Sequence, residues 1–345
     1  MSDIKRPPCF WQKGLSLVEL MVSLAIGMLI VLAVSNIFLS NHATFRSHEA
    51  LAQIQQNART ASELMSVDLR NAGGNPCGIP VNQVANALNN ATANWWSNWA
   101  GGKVQGFGGS ATDAPVASGT AAGTRISGTD SFIIRGSIGA CDGSSLTVTA
   151  HNGNSAQFSV NTASHCISSG NVLMVCDMRQ AAIFQVSNAN PNNTTIVHND
   201  GSGSPGNSTK CLGLNTAQCS PGSFYSFDPQ AQLSRLYSVY WFIGNNDRGR
   251  PSLFRSRTDN SGSVVTEEIA EGVQDMQAEY LLRTGGTLAS DFVAAGSVGA
   301  ADWNNVVAIR LTFGIRSISN AGTNQQPLER TFVNLISLRN QEIVQ

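Results

Sequence analysis

Hydrophobic positions follow two periods along this chain, one helical and one extended. The helical one begins at Gly14. From there to about Leu39 the sequence GLSLVELMVSLAIGMLIVLAVSNIFL is apolar almost without a break, and a single carboxylate, Glu19, interrupts it near its start. About 20 apolar residues suffice to cross a bilayer core as a helix. An ionisable group inside such a segment costs roughly 2.5–3.5 kcal/mol at its centre and less near an end, so Glu19 calls for a partner or a function. After Asn41 the run turns amphipathic. Leu51, Ile54, Ala58, Ala61, Met65, Leu69 and Ala72 recur at three- or four-residue spacing, and Gln53, Gln56, Arg59, Glu63, Asp68 and Arg70 fill the other face. No proline lies between Pro8 and Pro76, and Gly73-Gly74 followed by Pro76 ends the pattern. The spacing predicts one helix from Leu15 to Ala72, about 87 Å long at 1.5 Å per residue, with roughly half of it in the bilayer. Gly27 is the expected flexible point of the membrane half.

The extended period starts at residue 129. Phe132–Arg135, Leu146–Thr149, Gln157–Val160, Val172–Cys176, Ile183–Val186 and Thr195–Val197 are short apolar or β-branched runs punctuated by Gly, Asn and Asp. Longer candidates follow at Leu236–Ile243, Ser252–Arg257, Val264–Ile269, Val273–Leu282, Val307–Arg316 and Thr331–Leu338. In Val307–Arg316, Ile309, Leu311, Phe313 and Ile315 alternate with Arg310, Thr312, Gly314 and Arg316, as a half-buried strand does. Between helix and strands, residues 75–128 read as an irregular insert rich in Gly, Ala, Asn and Trp. Trp95, Trp96 and Trp99 are read there as packing against the sheet, with a sugar- or surface-binding patch as the alternative.

Composition narrows the setting. Only 12% of the 345 residues are charged, the net charge is −1, and Gly, Ser, Thr, Asn and Ala fill the gap. That balance argues against strong nucleic-acid binding and suits a secreted or cell-surface protein. Lys5, Arg6 and Lys13 precede the apolar run, so the N-terminus is expected in the cytoplasm and the bulk across the membrane. The cysteines agree. Cys9 precedes the run, whereas Cys77, Cys141, Cys166, Cys176, Cys211 and Cys219 follow it, an even set suited to an oxidising compartment. Of fifteen pairings we expect Cys166–Cys176, Cys211–Cys219 and, by elimination, Cys77–Cys141. Six reduced, buried thiols are the alternative.

Residues 33–45 offer no signal-peptidase site of the A-x-A kind. A cut before the apolar run, at Gly14, would keep the helix. Gly14-Leu15-Ser16-Leu17-Val18-Glu19-Leu20, behind a basic leader, resembles the class III signal of type IV prepilins. The resemblance implies that a prepilin peptidase cuts after Gly14 and methylates Leu15, and that Glu19, fifth in the mature chain, assists assembly. Leu15 stands where Phe or Met is more usual. Physically, cleavage would create an α-amine on Leu15 that a staggered neighbour could bring beside Glu19, so that two costly charges neutralise each other. Gln55-Gln56-Asn57-Ala58-Arg59, Leu253-Phe254-Arg255, Ile269 to Gln277 and Trp303 to Arg310 resemble recurring pieces of PilW-type minor pilins.

The resemblance implies an α+β pilin-like roll, one long N-terminal helix packed on antiparallel sheet. The expected divisions are leader 1–14, transmembrane and assembly helix 15–40, periplasmic half of the helix 41–74, insert 75–128 and β-rich periplasmic domain 129–345. It also implies a single-pass inner-membrane precursor that enters a cell-surface pilus as a low-copy subunit near the tip and primes assembly. Other minor pilins and the major pilin would be its partners, with a large tip adhesin as a further candidate. A J-type pseudopilin of type II secretion and an adhesive or DNA-binding tip module are the alternative functions. No enzyme motif emerges. His42, His48, His151, His165 and His198 fall at no metal-ligand spacing, no G-x-S-x-G elbow is present, and no cofactor is indicated. His165 beside Cys166 is the weak exception, a nucleophile and base reading that a disulfide at Cys166 would remove. Glu267, Glu268, Glu271 and Asp275 read as a solvated acidic edge.

Overall fold

The computed structural model describes residue 14 and residues 16–141, 146–201, 203–220, 222–322 and 325–338. Residues 1–13 of the expected leader, with Lys5, Arg6 and Lys13, and the expected methylation residue Leu15 lie outside these.

One helix, Leu17–Arg70, runs unbroken for 54 residues, about 81 Å at 1.5 Å per residue, and passes straight through Gly27. It is long and apolar enough to cross a membrane. From Leu17 to Arg46 every residue is exposed. Beyond that the helix docks. Ala50, Ile54, Ala58, Ala61, Met65 and Leu69 are buried, with Ala72 just past its end. Full burial of a side chain such as Ile54, Met65 or Leu69 stabilises by roughly 1.5–3 kcal/mol. The predicted stripe therefore stands, except that Ala50 rather than half-buried Leu51 opens it.

Two sheets receive the helix. The larger is organised by one 14-residue strand, Gln232–Asn245. Along one side it pairs first with Val172–Cys176 and then with Pro251–Thr258. Along the other it pairs first with Leu146–Asn152 and then with Ser131–Gly139. The strand thus joins a lobe, extended by Gln157–Val160, Thr195–Val197 and Ala181–Gln185, to the body that cradles the helix. Side chains alternate across it. Val239, Trp241 and Ile243 enter the core shared with the helix, while Tyr240 and Phe242 enter a second core with Phe107, Ile133 and Phe254. Both faces are covered, which is why its sequence, YSVYWFIG, is nearly continuous in apolar residues.

The smaller sheet is antiparallel: Val273–Thr284, Val306–Arg316 and Glu329–Ser337, with two short additions. The chain crosses between sheets at Gly272. Its φ is +88°, and a Cβ there would meet the Arg316 carbonyl at 2.4 Å, so only glycine fits. The helix, this sheet and the body of the larger one enclose a single core running from Ile54 to Leu338.

The insert departs from its loop reading. Val84–Asn86 adds to Ala181–Gln185 in parallel, against the all-antiparallel expectation, and Val104–Phe107 pairs with Ser131–Gly139. Trp96 and Trp99 are buried and Trp95 half-buried against the larger sheet, so these rings are packing residues. Two buried guanidiniums tie the insert down. Arg135 donates to the Trp95 and Gly102 carbonyls at 2.8 and 2.7 Å, and Arg125 to those of Thr129 and Ala111 at 2.7 Å each. Burial lowers the Arg135 pKa to about 9.

Candidate assembly interface

The exposed end of the helix begins with a cap. Ser16 Oγ accepts the Glu19 N–H at 3.2 Å, and Glu19 Oε2 accepts the Ser16 N–H at 3.2 Å, a reciprocal capping box. Ser16-Leu17-Val18-Glu19 is the S-x-x-E pattern of that motif, so the signal was legible. Glu19 thus has a local role beside any intermolecular one. Its charge sits in the first turn, where the helix dipole favours an anion. The Ser16 N–H and the Ser16 hydroxyl both reach Oε2, at 3.2 and 3.3 Å, and among the described residues Oε1 accepts none. Gly14 is exposed, with nothing near the position of a Cβ.

The docked end is held by Asp68, which the sequence reading placed on the polar face. That assignment is corrected: Asp68 is 1% exposed. Its carboxylate accepts from Arg255 Nε at 2.9 Å, Arg255 Nη2 at 2.9 Å, Tyr237 Oη at 2.5 Å and Trp241 Nε1 at 2.8 Å. Arg255 also donates to Tyr237 Oη at 2.7 Å and lies 5.8 Å from the Trp241 ring. Burial first, then the neighbouring Asp68 charge, holds the Tyr237 phenol well above its ordinary pKa. The spacing held a clue, because Met65, Asp68 and Ala72 are successive positions on the buried stripe. A carboxylate there requires buried donors, and two adjacent strands supply them. Further contacts continue along the helix. Asn57 Nδ2 donates to the Glu271 carbonyl at 2.9 Å, Ser47 Oγ bonds the Ala321 carbonyl, and Arg46 Nη2 reaches the Asn320 carbonyl at 3.4 Å.

The acidic edge is more structured than expected. Glu267 pairs with Arg257, Glu271 with Arg248 and Arg250, and Glu268 accepts from Ser252 and Asn246. Among the described residues no three His, Cys, Asp or Glu side chains are grouped to hold a metal ion.

All six cysteines beyond the helix are bonded. Cys211–Cys219 is the expected pair, but the other two expectations are corrected: Cys77 joins Cys176 and Cys141 joins Cys166. The reason is topological. The parallel strand Val84–Asn86 carries the segment after the helix to the Val172–Cys176 hairpin, so Cys77 meets Cys176 across 99 residues of sequence. In the chain-entropy account a loop of about 100 residues stabilises by ~4.7 kcal/mol. Cys141, just past Ser131–Gly139, is left to Cys166. The disulfide removes the His165–Cys166 nucleophile reading, and His165 instead meets the Asn193 carbonyl at 2.8 Å.

Comparison with known families yields two matches. Residues 240–336 match the family model described as Type IV Pilus-assembly protein W, and residues 12–35 match the prokaryotic N-terminal methylation motif. The longer match runs from the middle of the central strand through the smaller sheet, taking in Trp241 and Arg255. Asp68, the insert and the strands of the lobe lie outside it. Neither the curated proteins nor the solved structures yield a match.

Proposed function

Because this chain belongs to the type IV pilus-assembly protein W family and carries the prokaryotic N-terminal methylation motif, we propose that it is a minor pilin that primes pilus assembly from the inner membrane. The subunit is a structural, non-enzymatic protein. Prepilin peptidase cuts after Gly14 and methylates Leu15, leaving the N-terminus cytoplasmic and the sheets in the periplasm. The released α-amine of one subunit pairs with Glu19 of its neighbour, and the subunit joins other minor pilins and the major pilin in a low-copy complex near the tip.

The observation that carries this reading is the division of one rigid helix. Its first 30 residues, Leu17–Arg46, bury nothing within the chain, while the remainder is bolted to the sheets through Asp68. A half-helix presented in this way suits packing among other helices in a membrane and then in a filament. Glu19 stands at its tip with Oε1 available to a cation.

The test compares two variants in cells. Gly14→Glu is expected to abolish the mature-size band. Glu19→Ala is expected to be processed and membrane-inserted yet lost from sheared pili. Incorporation of Glu19→Ala at the level of the unaltered protein would overturn the charge pairing, and a mature band from Gly14→Glu would overturn the cleavage site.

A further inference from the structure

The lobe beyond the helix-binding body contains a facing pair of histidines, His198 buried and His151 half-buried. His151 ends the outward run of Leu146–Asn152, and His198 follows Thr195–Val197. Their Nε2 atoms are 3.0 Å apart. His198 is 0% exposed, and the pair is enclosed by aromatic rings: Phe158 stacks on His151 at 4.1 Å, Phe227 lies 5.7 Å from it, and Phe184 lies 5.4 Å from His198.

Hydrogen bonds fix the protons. The Phe227 N–H donates to His151 Nδ1 at 3.0 Å, so that nitrogen carries a lone pair and the His151 proton is on Nε2. That proton is donated to His198 Nε2, which places the His198 proton on Nδ1, a buried atom with no hydrogen-bond partner among the described residues. With Nε2 of His151 protonated, the pair cannot chelate a metal through its two facing nitrogens. The arrangement also has no room for another proton. Added at His151 Nδ1, it opposes the Phe227 N–H. Added at His198 Nε2, it opposes the His151 N–H.

Among the described residues, no carboxylate faces the pair to compensate a positive charge. Phe158, Phe184 and Phe227 face the pair from the neighbouring elements. Asp177 is bonded to Tyr225, Asp228 is paired with Arg179, and Lys210 donates to the Asn154 carbonyl. Asp200 is exposed, and His165 is turned to the Asn193 carbonyl. Apart from burial, the charge that bears on His198 is that of His151.

We propose that the His151–His198 pair is an acid-release latch. When neutral it pins Phe227, and with it the chain entering the central strand, into the lobe; protonation frees that segment while the helix-binding body stays closed. Burial lowers the His151 pKa to about 4, and burial followed by the His151 charge lowers that of His198 to about 3. Unfolded imidazoles titrate near 6.5. The pair's contribution is therefore complete above about pH 6.5 and is lost as pH falls through those folded values.

Hydrogen exchange of the full chain in detergent tests this, with rates corrected for the intrinsic effect of pH. Between pH 7 and pH 4, protection at Phe227 is expected to fall at least tenfold, while peptides containing Leu69 and Trp241 stay within twofold. His151→Gln combined with His198→Phe keeps an acceptor for Phe227 but has nothing to titrate, so its Phe227 protection should stay within twofold. A constant Phe227 signal in the original protein, an equal loss in the helix-binding body, or the same loss in the double variant would overturn the latch. Should the double variant not fold, imidazole nitrogen spectra of the unaltered protein decide. Neutral rings at pH 5.5, with Nε2–H on His151 and Nδ1–H on His198, support the latch, and an imidazolium at either position overturns it.

Discussion

The two halves of the long helix share a backbone and differ in what surrounds them. Leu17–Arg46 carries Leu, Ile, Val, Met and Phe on all sides, and the chain covers none of them. Ala50–Arg70 gathers most of its apolar residues into one stripe, Ala50 to Leu69, and buries it against its own sheets, with Val67 left exposed. The more hydrophobic half is thus the one left uncovered. What sends a helix to its own core is the period of its apolar positions, because a single stripe matches a single sheet face; apolarity all round instead suits lipid or neighbouring helices. The carboxylates follow the same division. Among the described residues Glu19, in the uncovered half, bonds to its own cap, whereas Asp68, in the docked half, collects four donors from two strands.

Removing Asp68 should break the contrast most strongly. Asp68→Ala leaves the half-buried Arg255 without its buried partner, and a loss of about 3 kcal/mol is expected. Unfolding of the full chain in detergent by denaturant, followed through tryptophan fluorescence, measures it. Adding Arg255→Met should recover most of that loss, because no stranded charge remains. If the single variant lost less than about 1 kcal/mol, the stripe alone would hold the helix.

A smaller effect tests the stripe itself. Met65 is fully buried, so Met65→Ala should cost about 2–5 kcal/mol. Leu29, 66% exposed in the other half, should change stability by no more than about 0.5 kcal/mol when replaced by Ala. Equal losses at the two positions, in the same unfolding assay, would mean that the uncovered half packs within the monomer after all.

Much of this was legible in residue order. Ile54, Ala58, Ala61, Met65, Leu69 and Ala72 fall into place because helical spacing is local and the stripe is long. Val172–Cys176, Gln157–Val160 and Thr195–Val197 were bounded as found, since β-branched runs between turn residues are also local signals. What escaped depends on partners distant in sequence. Asp68 was read as solvent-facing because a carboxylate usually is, and the donors that reverse this lie 169–187 residues away. Cys77 finds Cys176 only through the parallel addition of Val84–Asn86, a three-residue strand that has no period of its own. Residues 95–111 looked shapeless because their order comes from Arg125 and Arg135, whose buried guanidiniums gather carbonyls from several turns. Of the candidate interface, Gly14 and Glu19 stood out from the pattern, whereas the cap at Ser16 was missed, although its S-x-x-E spacing was there to be read.

That cap allows the smallest effect to answer the sharpest question, because Glu19→Ala removes together the observed cap and the proposed charge pairing. Ser16→Ala deletes the hydroxyl that accepts the Glu19 N–H and leaves the carboxylate in place. A lost N-cap costs about 0.5–2 kcal/mol, and here the cost falls on the first turn of the exposed half-helix, far from the sheets. Amide exchange at Glu19 should therefore rise, while the unfolding midpoint of the sheets stays unchanged. Incorporation into pili should stay near that of the unaltered protein, since the charge proposed to meet a neighbour's amine remains. If Ser16→Ala instead matched Glu19→Ala in lost incorporation, assembly would depend on the order of the first helical turn rather than on the carboxylate, and the division between the two halves would rest on capping rather than on charge.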